Sequence, residues 1–233
     1  MKALTRLAVP VLAAATALGL TATGASAAAV TIRRDGPTGA PYSGAFRFDN
    51  LAPLSLRTSI LGINVTAQCD TVTLEGTLVS DGSSVSLNSA VVDDCSSSIG
   101  GSAEVTFENL PYDQATVEYA PVSGGRDGTL TFTDSRLRIR ADISVLGISA
   151  TCYYGLGSSI TSLTFDLFNP DNPDRPSPTV DEAQGAVDNA SLTRLSGSSS
   201  ICPTTGTASV HGEIKGETTA GSGVFDQTLY ATS

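Results

Sequence analysis

Apolar and polar residues alternate along most of the chain in short runs. Ile63, Val65, Ala67 and Cys69 share one side of an extended segment. So do Val85, Leu87 and Val91, then Ala103, Val105 and Phe107, then Leu137, Ile139, Ala141, Ile143 and Val145. Ile148, Ala150, Cys152 and Tyr154 repeat the pattern of the first cysteine run, and Leu163, Phe165 and Leu167 add another. A period of two predicts strands with one buried face. Asp81-Gly82 lies between two runs and predicts a hairpin turn. No segment offers a crossover helix, which disfavours a parallel βαβ arrangement. The expected fold is all-β and antiparallel, with roughly a dozen strands in a sandwich or a barrel.

The chain resembles itself. Leu54-Ser55-Leu56-Arg57-Thr58-Ser59-Ile60 aligns with Leu137-Arg138-Ile139-Arg140-Ala141-Asp142-Ile143, and the same offset carries Cys69 onto Cys152. Leu61-Gly62-Ile63 recurs as Leu146-Gly147-Ile148, slipped by two residues, which keeps the strand face. Gly44-Ala45-Phe46-Arg47-Phe48 aligns with Gly128-Thr129-Leu130-Thr131-Phe132, Gly101-Ser102-Ala103-Glu104-Val105 with Gly206-Thr207-Ala208-Ser209-Val210, and Tyr119-Ala120 with Tyr230-Ala231. An ordered set of matches predicts two homologous units, 28–122 and 123–233. The second unit carries an extra stretch between its cysteines, read as an exposed, acidic, Pro-rich loop near 169–189, because four prolines forbid a central strand there.

Four cysteines permit three pairings. If each unit once folded alone, its own two cysteines had to pair, which predicts Cys69–Cys95 and Cys152–Cys202, with Cα separations near 5 to 6 Å. Zinc is the rival, but the spacings are not those of metal ligands.

Residues 1–27 read as a signal peptide. Lys2 and Arg6 precede an apolar Leu7–Leu20 stretch too short to span a membrane comfortably, and Ala25-Ser26-Ala27 places cleavage after Ala27. The expected product is a soluble extracellular chain without a membrane span. Its loss of Lys2 and Arg6 makes the formal net charge of −10 more negative by two. Nucleic acid is therefore excluded as a partner, because it demands clustered positive charge.

Candidate chemistry is sparse. His211 is the one histidine, and no Gly-x-Ser-x-Gly elbow accompanies it. Asp93, Asp94, Glu104 and Glu108 offer carboxylates for a glycosidase pair, but no tryptophan is present to stack a sugar. Asp171, Asp174, Asp181, Glu182 and Asp188 supply hard oxygens without the ordered spacing of a calcium loop. Arg136, Arg138 and Arg140 form a basic stripe expected to pair with carboxylates on neighbouring strands, and Arg57 holds the position of Arg140 in the first unit. Asn64-Val65-Thr66 and Asn189-Ala190-Ser191 match the glycosylation triplet.

The Pro41-Tyr42-Ser43-Gly44 opening, the Cys69, Cys95 and Cys152 strands, Gly101-Ser102-Ala103, Ile201-Cys202-Pro203 and the Leu229-Tyr230 ending resemble a family of uncharacterised secreted actinobacterial proteins with two Cys-paired β units. That resemblance implies no activity and transfers no functional residue. The expectation is a non-enzymatic extracellular protein with a binding or cell-surface-associated role, no catalytic residue, no cofactor and no metal. Its partner class would be a protein or a small apolar ligand. The rival readings are a carrier with an apolar cavity lined by Phe46, Phe48, Phe107 or Phe132, and a hydrolase with His211 beside a serine and an aspartate.

Overall fold

The computed structural model describes residues 29–60, 62–145 and 147–233. The expected signal peptide, and Leu61 and Leu146 of the two recurring Leu-Gly-Ile turns, lie outside the described residues. The described chain has no helix and fourteen strands: β1 (Thr31–Arg34), β2 (Gly44–Asn50), β3 (Leu54–Ile60), β4 (Ile63–Leu78), β5 (Val85–Ser97), β6 (Ser102–Glu108), β7 (Tyr112–Tyr119), β8 (Gly128–Phe132), β9 (Arg138–Val145), β10 (Ile148–Gly155), β11 (Leu163–Phe168), β12 (Ala183–Arg194), β13 (Thr205–Gly216) and β14 (Gln227–Thr232).

All pair antiparallel in one sheet rather than in two packed sheets. β2 and β3 follow one line, broken at 51–53, and both run between β4 and β13. β6 and β7 succeed one another beside β5, β8 and β9 do so beside them, and β10 and β11 do so beside β12. Each broken pair acts as one long strand, so eight strand lines result. Each pairs with its neighbours in sequence, and the last, β13, pairs back with β2 and β3. That circuit is an up-and-down closed barrel, which leaves no free sheet edge. β14 extends from β13 at one end and carries β1.

The inward positions are apolar. Phe46, Phe48, Val72, Val85, Leu87, Val105, Phe132, Ile139, Tyr154 and Val210 belong to one buried cluster that crosses 122/123, a boundary that falls in the β7–β8 connection. Outward positions are mostly Thr, Ser, amide and charged residues, the reverse of a barrel that faces lipid.

Three local features differ from the sequence reading. Val91 is outward and about half exposed, although it was expected beside Val85 and Leu87. The pairing steps from Gly76↔Leu87 to Glu75↔Ser89, so Asn88 is an extra residue and the strand face inverts beyond it. The acidic loop ends at Glu182 rather than near 189, because Ala183–Arg194 pairs with β13. It is also tied down: Gln184, fully buried, bonds the backbone N–H and C=O of Ser177, and Asn172 bonds Gly125 O and the Asp127 carboxylate.

The disulfides join Cys69 to Cys95 and Cys152 to Cys202. The second spans 5.7 Å between Cα atoms. The first spans 3.9 Å, below the expected range, because its cysteines stand directly opposite in the β4–β5 register. Gly82 in the Asp81-Gly82 turn has a φ of +67°, and a Cβ there would lie 2.5 Å from Val117 O, so the turn needs glycine twice over.

Candidate functional site

The barrel interior, the first candidate, is nearly filled. Its central cavity, about 60 Å³, is walled by Leu56, Leu74, Phe107, Phe132, Leu163 and Leu192 among others. A second of about 60 Å³ lies toward β1 and β14 beside Phe46, and a third of about 40 Å³ lies toward the opposite end beside Val65 and Tyr154. An apolar void that small stays dry, and small-molecule pockets are several times larger.

His211, on the outer side of β13, meets Ser177 of the acidic loop, with Oγ and Nε2 3.3 Å apart. Among the described residues no carboxylate is hydrogen-bonded to that ring. The pair therefore lacks the orienting acid of a triad and lies outside the barrel rather than in a cleft.

The carboxylates are dispersed. Asp93 and Asp94 are exposed on β5. Glu108 is held by Arg138 at 2.9 Å. Glu104 faces Asp142 across the β6–β9 register, and Asp142 is already engaged by Arg140 at 2.7 Å and by the Thr151 hydroxyl. Asp181 pairs with Arg175, and Asp188 accepts from Ser209 and Asn189. Asp171 and Asp174 point to solvent. Glu182 is half-buried, and burial raises its carboxyl above the ordinary value against opposing help from Thr228 and Lys215.

The basic stripe is consumed by ion pairs. Arg136 holds Asp134 and Asp113, each at 2.7 Å, and Arg138 also stacks 3.8 Å from the Tyr153 ring centroid. Asp134, fully buried, was visible in the sequence only as a residue flanking that stripe. It accepts from the Arg136 side chain and from the backbone N–H of Arg136 and Asp113. Those bonds, led by the Arg136 side chain, lower its carboxyl to about 2. Asp134 stands where β8 breaks from β9, and Asn50 does the same work where β2 breaks from β3, bonding Ala52 O, Asp70 O and Val72 N. These polar side chains satisfy backbone groups that the broken ladders leave open. They build the frame and face no cleft.

The two ends of the barrel differ more than any single cluster does. At one end, the β4–β5, β7–β8, β11–β12 and β13–β14 connections carry Asp81, Asp127, Asp171, Asp174, Asp181, Glu182, Glu217 and Asp226 against Arg126 and Arg175. At the other end, the connections near 61–62, 98–101, 146–147 and 195–204 carry no charged residue, and 58–69, 95–103, 143–165 and 195–210 are free of charge throughout. Ile99 and Ile201 turn inward there onto Val65, Ala141 and Ile143 and plug the interior. Ile63 and Ile148 instead flank the β3–β4 and β9–β10 turns and are 46% and 41% exposed. The turns themselves depend on Gly62 and Gly147, whose φ values are +80° and +77°. No aromatic, Lys or Arg residue occupies these four connections. The segregation is invisible in a linear reading, because it requires knowing which connections share an end.

Comparison with protein-family models, with curated proteins and with solved structures returns no match.

Proposed function

We propose that this is an exported, non-enzymatic binding protein that engages its partner through the uncharged end of the barrel. The observation that carries the reading is the segregation of charge. In an acidic chain every connection at one end has been kept neutral, and two turns there hold isoleucine in solvent. Val79, Val122 and Val224 are comparably exposed at the acidic end, but within connections that also carry Asp81, Asp127, Glu217 and Asp226. Two disulfides suit an oxidising compartment, and no helix of the described residues is long and apolar enough to cross a membrane.

The barrel is, in this reading, a duplicated four-strand meander. β2–β3, β4, β5 and β6–β7 correspond in order to β8–β9, β10–β11, β12 and β13. Asn50 and Asp134, one at each strand break, sit at the same offset as Gly44 and Gly128, which supports that correspondence. Either half alone would leave two open edges, so the present units are halves of one barrel rather than independent domains.

A carrier of a very small apolar ligand is the second reading, favoured by the cavity beside Phe107 and Phe132. Adsorption to an octyl-coated surface separates the two. The leading reading expects wild-type protein to adsorb and Ile63→Asp/Ile148→Asp to lose at least about tenfold in retention. A Val79→Asp/Val224→Asp control at the acidic end should adsorb as wild type does. Equal retention of all three would defeat the rim reading.

A further inference from the structure

From this reading of the uncharged end, we infer that its occupant is a second copy of the same chain, docked rim to rim. Charge limits the ways two copies can meet. Each carries a formal charge of −10 before any leader is removed, and its carboxylates gather at the other end and along the outer wall. Contact through the acidic end or the wall brings like charges together. Contact through the neutral rims does not: β4 has 16 residues, so at about 3.3 Å per residue and a tilt near 40° the barrel is about 40 Å long. Rim-to-rim docking then holds the acidic ends about 80 Å apart, some ten screening lengths at physiological salt.

The ring of eight strand lines has no edge, and the outer side of β1 is already bonded to Ser80, Ala40 and Tyr42, so association uses side chains rather than strand addition. Eight strand lines spaced about 4.8 Å apart make a rim roughly 25 Å across with its side chains, or about 500 Å² per copy. Two such faces bury about 1,000 Å², the lower bound for a specific interface, which fits a reversible dimer. The half-turn relation between the β3–β4 and β9–β10 turns suits a self-complementary contact, in which Ile63 and Ile148 of one copy each meet the rim of the other. A lipid surface is the less fitting occupant. No Trp or Lys lies in its four connections, and the cations nearest them, Arg194 and Arg138, are engaged by Cys202 O and by Ser196 O and Glu108, which leaves little to anchor at a membrane interface.

Sedimentation equilibrium of the full exported chain decides the matter, over about 1 μM to 1 mM and at low and high salt. The expected result is a monomer–dimer equilibrium that salt does not weaken. Ile63→Asp/Ile148→Asp should weaken it at least about 100-fold, since each substitution appears twice in the contact. Val79→Asp/Val224→Asp should leave it within about threefold, and an unchanged circular dichroism spectrum shows that both variants fold. A monomer throughout the range, or a dimer untouched by the rim substitutions, overturns the inference. A monomer that nevertheless adsorbs to an octyl surface through Ile63 and Ile148 would retain the binding reading and discard self-association. Flotation of a monomer with phosphatidylcholine vesicles, lost in the rim variant, would assign the rim to lipid instead.

Discussion

Both ends of the barrel are sewn by side chains bonding backbone, but among the described residues only one carries disulfides. The end with neutral turns is stapled covalently: Cys69–Cys95 joins β4 to β5, and Cys152–Cys202 joins β10 to the β12–β13 connection. The acidic end has no disulfide among the described residues and is sewn by side chains bonding backbone. Asn169 bonds both the N–H and C=O of Ala231, Gln184 bonds Ser177, and the Tyr42 hydroxyl accepts from the Glu217 N–H while donating to Ala45 O. The Glu217 carboxylate accepts from the N–H groups of Gly221 and Gly223. The neutral end uses side-chain bonds as well, chiefly from serine: the Ser98, Ser198 and Ser199 hydroxyls accept from the N–H groups of Thr66, Tyr153 and Thr151, and the Arg194 guanidinium donates to Cys202 O. The cross-links add to these bonds, while Ile63 and Ile148 stay in solvent. At the acidic end the polar side chains are already used by the fold.

The largest expected effect comes from removing the staples. Loop-closure reasoning gives about 3 to 4 kcal/mol for each bridge. Cys152→Ser/Cys202→Ser should lower the unfolding free energy from denaturant titration by that amount and raise amide exchange first in β10 and residues 195–204. Faster exchange at the acidic end instead would break the proposed division of labour.

Next comes the waist, where Asp134 clamps the β8–β9 break. Asp134→Ala leaves the Arg136 and Asp113 N–H groups unmatched and should cost about 2 to 4 kcal/mol in chemical unfolding. The sign with pH follows from the depressed carboxyl. Its contribution is complete above the ordinary aspartate range near 3.8 and fades as pH falls toward about 2, amounting to about 2 kcal/mol. Asp134→Asn should flatten that acid limb of the stability curve. A variant that keeps the wild-type acid limb would remove Asp134 from the account.

Gln184→Ala tests the acidic end alone. Losing the bonds to Ser177 and Val180 should cost about 1 to 3 kcal/mol and speed exchange across 169–182 without changing 195–204. A cost spread evenly over both ends would mean that they do not open separately.

Alternation made the strands legible in the sequence, and the internal likeness made the order of the cysteines legible. Ring closure was not, because β13 meets β2 and β3 across most of the chain and such pairing leaves no local mark. Val91 was misplaced because a single extra residue, Asn88, inverts a face without altering composition. The acidic loop looked solvated because its prolines and carboxylates are visible in sequence, whereas the buried amides of Asn172 and Gln184 look like ordinary surface residues. The neutral rim emerged only when separate stretches, each unremarkable, were brought to one end.

The smallest expected effect on stability is at that rim: Ile63→Asp/Ile148→Asp should stay within about 0.5 kcal/mol of wild type, since exposed side chains contribute little to folding. The contrast between the ends is tested most directly by hydroxyl-radical footprinting of the protein free and adsorbed on an octyl surface. Oxidation of Ile63 and Ile148 should fall several-fold on adsorption, while Val79, Val122 and Val224 remain as reactive as in solution. Protection of those valines, with Ile63 and Ile148 still reactive, would contradict it.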